Sequence, residues 1–296
     1  MIGWLCGSRY YFTLFIMLGW ETESRYMTEP WIAVILGLVE GVTEFLPVSS
    51  TGHLIVAENL LDFTDDKAKC FAVFIQLGAI SAVLVLYWDR FLGLIPRGKP
   101  TVSPAVGFSG LRELVCLMLT SLPAVLVGLA THRLIKAYLF QPVPVAVALA
   151  VGAVGMLLVE WYRPRATIKE LDALTFSQAL KVGLFQCLSL WPGISRAAAT
   201  IVGGLLSGLD RRTATEYSFL AAVPIMVAAT SYDLYRSWYL LDFSDVTVFL
   251  IGFVVSFVSA GVAVKTFIAL VQRWSLAPYA WYRLAIAPLI LWVWSG

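Results

Sequence analysis

Charge is scarce in this chain: of 296 residues only 14% are Asp, Glu, Lys or Arg, against roughly 25% in an average soluble domain. Hydrophobic residues make up 59%, and the mean hydropathy is +0.82. So few polar groups do not cover a water-facing surface, which excludes a soluble enzyme. A disordered chain is excluded too, since it would be polar and charge-rich. The formal net charge is only +2, with Lys and Arg dispersed, so nucleic-acid binding driven by phosphate neutralisation is excluded as well. Histidine is limited to His53 and His132, which rules out a multi-histidine metal centre. Cys6, Cys70, Cys116 and Cys187 lie far apart without a CxxC pair, arguing against a disulfide framework or a zinc site. Any metal here must be held by carboxylates or by the phosphates of a substrate.

What the chain has instead is long apolar runs, at residues 31–61, 70–88, 112–131, 142–161, 177–209, 213–231, 246–271 and 278–294. Six are single spans near the ~20 residues a membrane helix needs. The other two, 31–61 and 177–209, are longer and interrupted. Pro47-Val48-Ser49-Ser50-Thr51-Gly52-His53 divides the first, and Trp191-Pro192-Gly193-Ile194-Ser195-Arg196 divides the second. Proline followed by Ser and Gly stops one helix and caps the next. The halves, ~13–15 residues or ~20 Å each, are too short for a ~30 Å hydrocarbon core. The pattern predicts an all-α integral membrane protein with six transmembrane helices plus two re-entrant helical hairpins.

The apolar run within residues 1–26 is too short to span and lacks a signal-peptide cleavage pattern. Met27 opens MTEPWIAVILGLVEG, with Thr28 and Pro30 as cap and first-turn proline. Residues 1–26 are therefore expected to be an N-terminal extension or a mis-called start, and 27–296 a single membrane domain. Pro47 precedes FIQLGAISA at nearly the spacing at which Pro192 precedes FLAAVPIMVA, and two more spans follow each. This predicts two inverted repeats, about 27–141 and 142–296, a design that places sites near the midplane where broken helices meet. Loops carrying Arg90, Arg97, Lys99 and Arg112, then Arg163, Arg165 and Lys169, then Arg211 and Arg212, fall on one side with Arg273. By the positive-inside rule that side is cytoplasmic.

Ionisable groups inside a membrane are costly and by default functional. The first hairpin holds Glu40, Glu44 and His53, and the second holds Arg196. Glu40 and Glu44, four apart, share a helix face and need a cation nearby. Ser50, Thr51 and His53 fall around the first turn of the outgoing helix, and Arg196, preceded by Ser195, begins the matching one. Helix N-termini and a guanidinium suit two phosphate groups, while serine beside histidine and carboxylate supplies a nucleophile with proton-transfer partners. The residues alone leave other roles open. Glu40 and Glu44 would also serve an ion or proton relay, the hydroxyls would serve as plain helix caps, and the whole would serve a transporter or flippase for a polyprenyl phosphate or another anion. Gly37 with Gly41, and Gly204 with Gly208, read as small-residue helix contacts, which serve intrachain packing or a homodimer equally well.

The run Glu40-Gly41-Val42-Thr43-Glu44-Phe45-Leu46-Pro47-Val48-Ser49-Ser50-Thr51-Gly52-His53, with Pro192-Gly193-Ile194-Ser195-Arg196, resembles the undecaprenyl-diphosphate phosphatase family of the bacitracin-resistance type. The resemblance covers about residues 27–294. It implies hydrolysis of undecaprenyl diphosphate to the monophosphate and inorganic phosphate in the bacterial inner membrane, recycling the lipid carrier of peptidoglycan synthesis. It further implies a site open to the periplasm, a divalent cation (Mg2+ or Ca2+) and bacitracin resistance on overexpression. Residue by residue, Ser50 matches the nucleophile and His53 the acid–base partner. Glu44 and Glu40 match the acidic pair for metal binding or base work, and Arg196 the phosphate clamp. Ser49, Thr51, Ser195 and Thr200 match polar positions around the phosphates. One departure stands out: where the family continues Ser-Gly after the arginine, this chain has Ala197-Ala198, which puts a phosphate contact from position 197 in doubt.

Overall fold

Prolines, small residues and left-handed turns mark where the helices of this chain start and stop. The structure, a computed structural model, describes residues 29–95, 110–162 and 164–295. The extension 1–26, the cap expected at Thr28 and the loop cations Arg97, Lys99 and Arg163 lie outside the described residues. The chain runs α1 (Pro30–Thr43), α2 (Ser50–Leu60), α3 (Asp66–Leu86), α4 (Trp88–Gly93), α5 (Leu111–Leu134), α6 (Pro142–Tyr162), α7 (Phe176–Gln186), α8 (Arg196–Leu206), α9 (Arg211–Ser237), α10 (Val246–Val271) and α11 (Ala277–Ser295). No strand forms among the described residues; an isolated bridge joins Ile168 to Leu209.

Five segments are long and apolar enough to cross a bilayer: Asp66–Leu86, Leu111–Leu134, Pro142–Tyr162, Arg211–Leu240 and Phe243–Val271. Each coincides with an expected single span. The sixth expected span is α11, whose 19 residues reach ~28 Å, but Arg283, Pro288 and several Tyr and Trp dilute its hydropathy. Leu250, Val254, Val258 and Val262, four apart along α10, are all exposed. An apolar stripe facing outward is what a lipid solvent favours.

The two interrupted blocks form pairs of short helices, 14 and 11 residues in α1–α2 and 11 and 11 in α7–α8. At ~16–21 Å none spans a ~30 Å core alone. Just before α2 and α8 the backbone turns left-handed at Ser49 (φ 75°) and Ser195 (φ 39°), with Gly193 at φ 103°. A serine in that region costs ~1–3 kcal/mol, so the surroundings must enforce it. At α8 the turn is stabilised by the Ser195 side chain, which accepts from the Ala198 N–H at 3.2 Å, satisfying one of the helix's unpaired donors.

α1 packs along α10, and α7 along α5; α6 packs against α11, and α3 against both α9 and α10. The α1–α10 approach depends on missing side chains: a Cβ on Gly37 would lie 2.7 Å from the Gly252 carbonyl, and one on Gly41 would collide with Ser259 Oγ. Gly41→Leu is expected to cost ~1–3 kcal/mol by overpacking, read as a fall in melting temperature in detergent. Gly204 meets Ala214 across the α8–α9 contact. Gly208, expected as its partner in that contact, instead adopts φ 91° beyond the end of α8. The physical reason is the need of a helix C-terminus for a residue that turns left-handed at low cost.

Candidate active site

One carboxylate links the two interruptions. Glu44, directly after α1, accepts the Ser50 hydroxyl at Oε2 (2.5 Å) and Arg196 Nη2 at Oε1 (3.2 Å). Arg196 opens α8, 152 residues further along the chain. Its Nη1 donates to the Ser218 carbonyl at 3.1 Å, and its guanidinium lies 5.4 Å from the centre of the Phe45 ring. Phe45 in turn packs edge-on against Phe219 at 5.4 Å. The Arg196 and Glu44 side chains are only 12% and 6% exposed, so the pair is poorly screened by water.

Glu40 lies one turn before Glu44 on α1, fully buried, and neither of its carboxylate oxygens receives a hydrogen bond. Its charged neighbours are Glu44, Glu58 and Arg196, and Arg196 Nε is likewise buried without an acceptor. Two carboxylates against one guanidinium leave uncompensated negative charge, which burial makes costly. No group of three or more His, Cys, Asp or Glu gathers among the described residues. The unpartnered Glu40 carboxylate, one turn from Glu44, is the feature that would suit a hard cation held by two carboxylates plus substrate phosphates.

His53, in the first turn of α2, has both ring nitrogens engaged. Nδ1 lies 2.7 Å from the Ser49 carbonyl and Nε2 lies 2.7 Å from the Tyr282 hydroxyl. Because a carbonyl only accepts, Nδ1 carries a proton, which leaves Nε2 of a neutral ring to accept from Tyr282. The rings of His53 and Tyr282 are nearly parallel, 5.5 Å apart. It is Glu44, rather than His53, that sits on the Ser50 hydroxyl.

The remaining expected site residues divide between the helix starts and the packing behind them. Ser49 is buried, with its carbonyl turned to His53, while Thr51 and Ser195 are half-buried at the starts of α2 and α8. Thr200 is fully buried behind Arg196: its hydroxyl donates to the Arg196 carbonyl at 2.9 Å and pairs with Ser218 Oγ at 2.6 Å. Ala197 is fully buried in the main apolar cluster. Position 197 thus faces packing, and the absent hydroxyl is one that would have to be satisfied inside the core.

Sequence reasoning missed Arg283. This side chain of α11 is fully buried and donates to the carbonyls of Gly193 (2.9 Å), Leu149 (3.2 Å), Ala148 (3.4 Å) and Pro47 (3.4 Å). Pro47 belongs to the first interruption and Gly193 to the second, so one guanidinium holds both. Gly152 on α6 faces it, leaving no room for a Cβ. The signal was available, since Arg283 is the only ionisable side chain other than tyrosine in the apolar run 278–294. Tyr282 gave none, because aromatic residues near span ends read as interface anchors.

Fold and site together define a multi-pass, all-helical membrane protein with a carboxylate–hydroxyl–guanidinium cluster where two broken helices meet. The chain belongs to the family described as bacitracin resistance protein BacA, which matches residues 33–289. It is 60% identical over 264 residues to the undecaprenyl-diphosphatase of Nitratidesulfovibrio vulgaris strain DP4, covering 89% of this chain and 98% of that one. The proteins of that name from Solidesulfovibrio magneticus and Maridesulfovibrio salexigens are 57% and 55% identical over 268 and 270 residues. Those matches cover 90% and 91% of this chain and 99% and 100% of the relatives.

Proposed function

We propose that this protein is a bacterial inner-membrane enzyme hydrolysing undecaprenyl diphosphate to undecaprenyl phosphate and inorganic phosphate. That activity would return the lipid carrier to peptidoglycan synthesis and confer bacitracin resistance. The observation that carries the reading is the hydrogen-bonded chain from Ser50 through Glu44 to Arg196, spanning both interruptions. The N-termini of α2 and α8 supply unpaired N–H groups for the diphosphate, with Thr51 and Ser195 beside them, and Arg196 neutralises its charge. Either Ser50 attacks the terminal phosphorus and gives its proton to Glu44, the P–O bond to undecaprenyl phosphate breaks and water then frees phosphate from the serine, or Ser50 orients a water that attacks directly and gives its proton to Glu44. His53 serves as acid–base partner, with its ring orientation fixed by Ser49 and Tyr282. Glu40 and Glu44 would hold Mg2+ or Ca2+, whose chemistry is to offset charge on the phosphoryl oxygens.

In this reading the two short helix pairs enter and leave the membrane on their own sides, and the chain is two inverted repeats, about 27–141 and 142–296. The packing supports it: exchanging α1 with α7 and α10 with α5 converts one observed contact into the other. The likeness extends to α2 on α11 and α8 on α6. With the Arg-rich loops cytoplasmic, the cluster would open to the periplasm.

The test is release of phosphate from a polyprenyl diphosphate by the purified protein in detergent. Activity is expected to vanish with chelator, return with Mg2+ or Ca2+, and fall by ~10³-fold or more in Ser50→Ala, the scale of losing a nucleophile. A folded preparation that releases no phosphate, or undiminished release by Ser50→Ala, refutes the proposal. Trapping a phosphoserine at position 50 separates covalent attack from an oriented water. Ala197→Ser, which restores the family's hydroxyl at a core-facing position, is expected to leave the rate within about twofold. A carrier for polyprenyl phosphate would need anion ligands but no nucleophile, and the relatives' names do not favour it.

A further inference from the structure

Away from the cluster, a cavity of about 680 Å³ opens at the other end of α8, where the ends of α6, α8, α9, α10 and α11 come together. Arg196 starts α8 and Leu205 lines this cavity, so nine residues of helix, ~14 Å, separate the two places. Its wall mixes two kinds of residue. Trp274 is exposed while Val159, Leu205, Leu209 and Val271 are nearly buried, and Arg211, Arg212 and Arg273 are the cations.

The cations are prearranged. Glu160 accepts both Nε and Nη2 of Arg211, at 3.1 and 2.5 Å, and also the Leu276 N–H at 2.8 Å, which fixes the Arg211 fork and leaves Nη1 to spare. Arg212 donates Nε to Glu216 at 2.8 Å, a carboxylate that Arg90 also approaches at 3.5 Å. Arg273 is exposed and forms no ion pair among the described residues. Asp210, the other carboxylate of the wall, is engaged in capping α9 through the Thr213 N–H at 2.8 Å. Guanidinium donors thus remain in excess beside the exposed Trp274, at the end of the bundle that also carries Arg112, Arg165 and Lys169.

We propose that this cavity binds the headgroup of an anionic phospholipid, its phosphate at the arginines of the lining and its first acyl carbons against Trp274. The pairing of arginine with apolar surface at a membrane end selects an amphiphilic phosphate over a free one, because juxtamembrane cations attract anionic lipid while apolar surface gains only from a lipid tail. The site is separate from the phosphatase reading, and lipid binding is measured without substrate, so failure of either leaves the other standing.

The test uses wild-type protein in phosphatidylcholine vesicles containing dibrominated phosphatidylglycerol or dibrominated phosphatidylcholine. Quenching assigned to Trp274, by difference from Trp274→Phe, is expected to saturate at roughly tenfold lower mole fraction with the anionic lipid. Arg212→Gln with Arg273→Gln is expected to abolish that preference. Equal quenching by both lipids in the wild type overturns the proposal, whatever the variants do. So does a preference that survives the double substitution. In detergent, Arg273-dependent thermal stabilisation by inorganic phosphate as large as that by short-chain phosphatidylglycerol would assign the cavity to a free anion and overturn the lipid assignment.

Discussion

Arg196→Ala is expected to lower phosphate release by ~10³-fold or more, because phosphoryl transfer depends mainly on positioning and charge neutralisation, and an arginine at the transferred phosphate supplies both. Two features of the structure make this the most sensitive substitution. Arg196 is the only cation forming an ion pair with Glu44 among the described residues, and Glu40 beside it has no donor at all. Removing the guanidinium therefore also strands two buried carboxylates, at a cost of ~3–5 kcal/mol. Catalytic and structural losses can be separated. A divalent ion binding the carboxylate pair should restore melting temperature in Arg196→Ala without restoring rate. Arg196→Lys is expected to recover stability and little activity, since an ammonium lacks the planar fork. Rates within tenfold of wild type for Arg196→Ala would remove this residue from the phosphate site.

The second large effect is expected at a residue that does not touch the carboxylate cluster. Arg283→Met keeps side-chain bulk but leaves the Pro47 and Gly193 carbonyls without their shared donor. Each buried carbonyl left without a donor costs ~1–3 kcal/mol, so a fall in melting temperature is expected, and the rate is therefore compared at a temperature where the variant is still folded. Position should suffer as well. A shift of ~1 Å in either interruption separates Ser50 from Arg196 and costs ~10²-fold in rate. The expected result is thus a fall of about that size in kcat in the folded variant, and full activity in Arg283→Met would show that the interruptions hold themselves.

Much of this arrangement was legible in the sequence because it follows from local rules. Pro47 and Pro192 place the breaks, and the residues after them begin α2 at Ser50 and α8 at Arg196. Apolar periodicity and length place the long helices. What stayed hidden depends on contacts between distant segments. Nothing local indicates that His53 would meet Tyr282, 229 positions away. Nor does the motif reveal that Glu44 would take the Ser50 hydroxyl, since serine near histidine reads equally well as a pair. A phosphate position for Thr200 is implied only by the resemblance, and nothing local reveals that Ser218 on α9 pairs with its hydroxyl. The left-handed serines at 49 and 195 escaped notice for a different reason: glycine is the residue expected there, and only tertiary packing holds an L side chain in that conformation.

The shared anchor at Arg283 also bears on how a bulky isoprenoid reaches the cluster. Pulling the two interruptions apart to admit it would strip a guanidinium of carbonyl partners from both of them in the protein interior, where no water replaces them. The two elbows are therefore tied together at one anvil, and a route between them would cost that tie. Rocking one half of the molecule against the other, the stroke of a carrier, would break the piece that gives the anvil its shape.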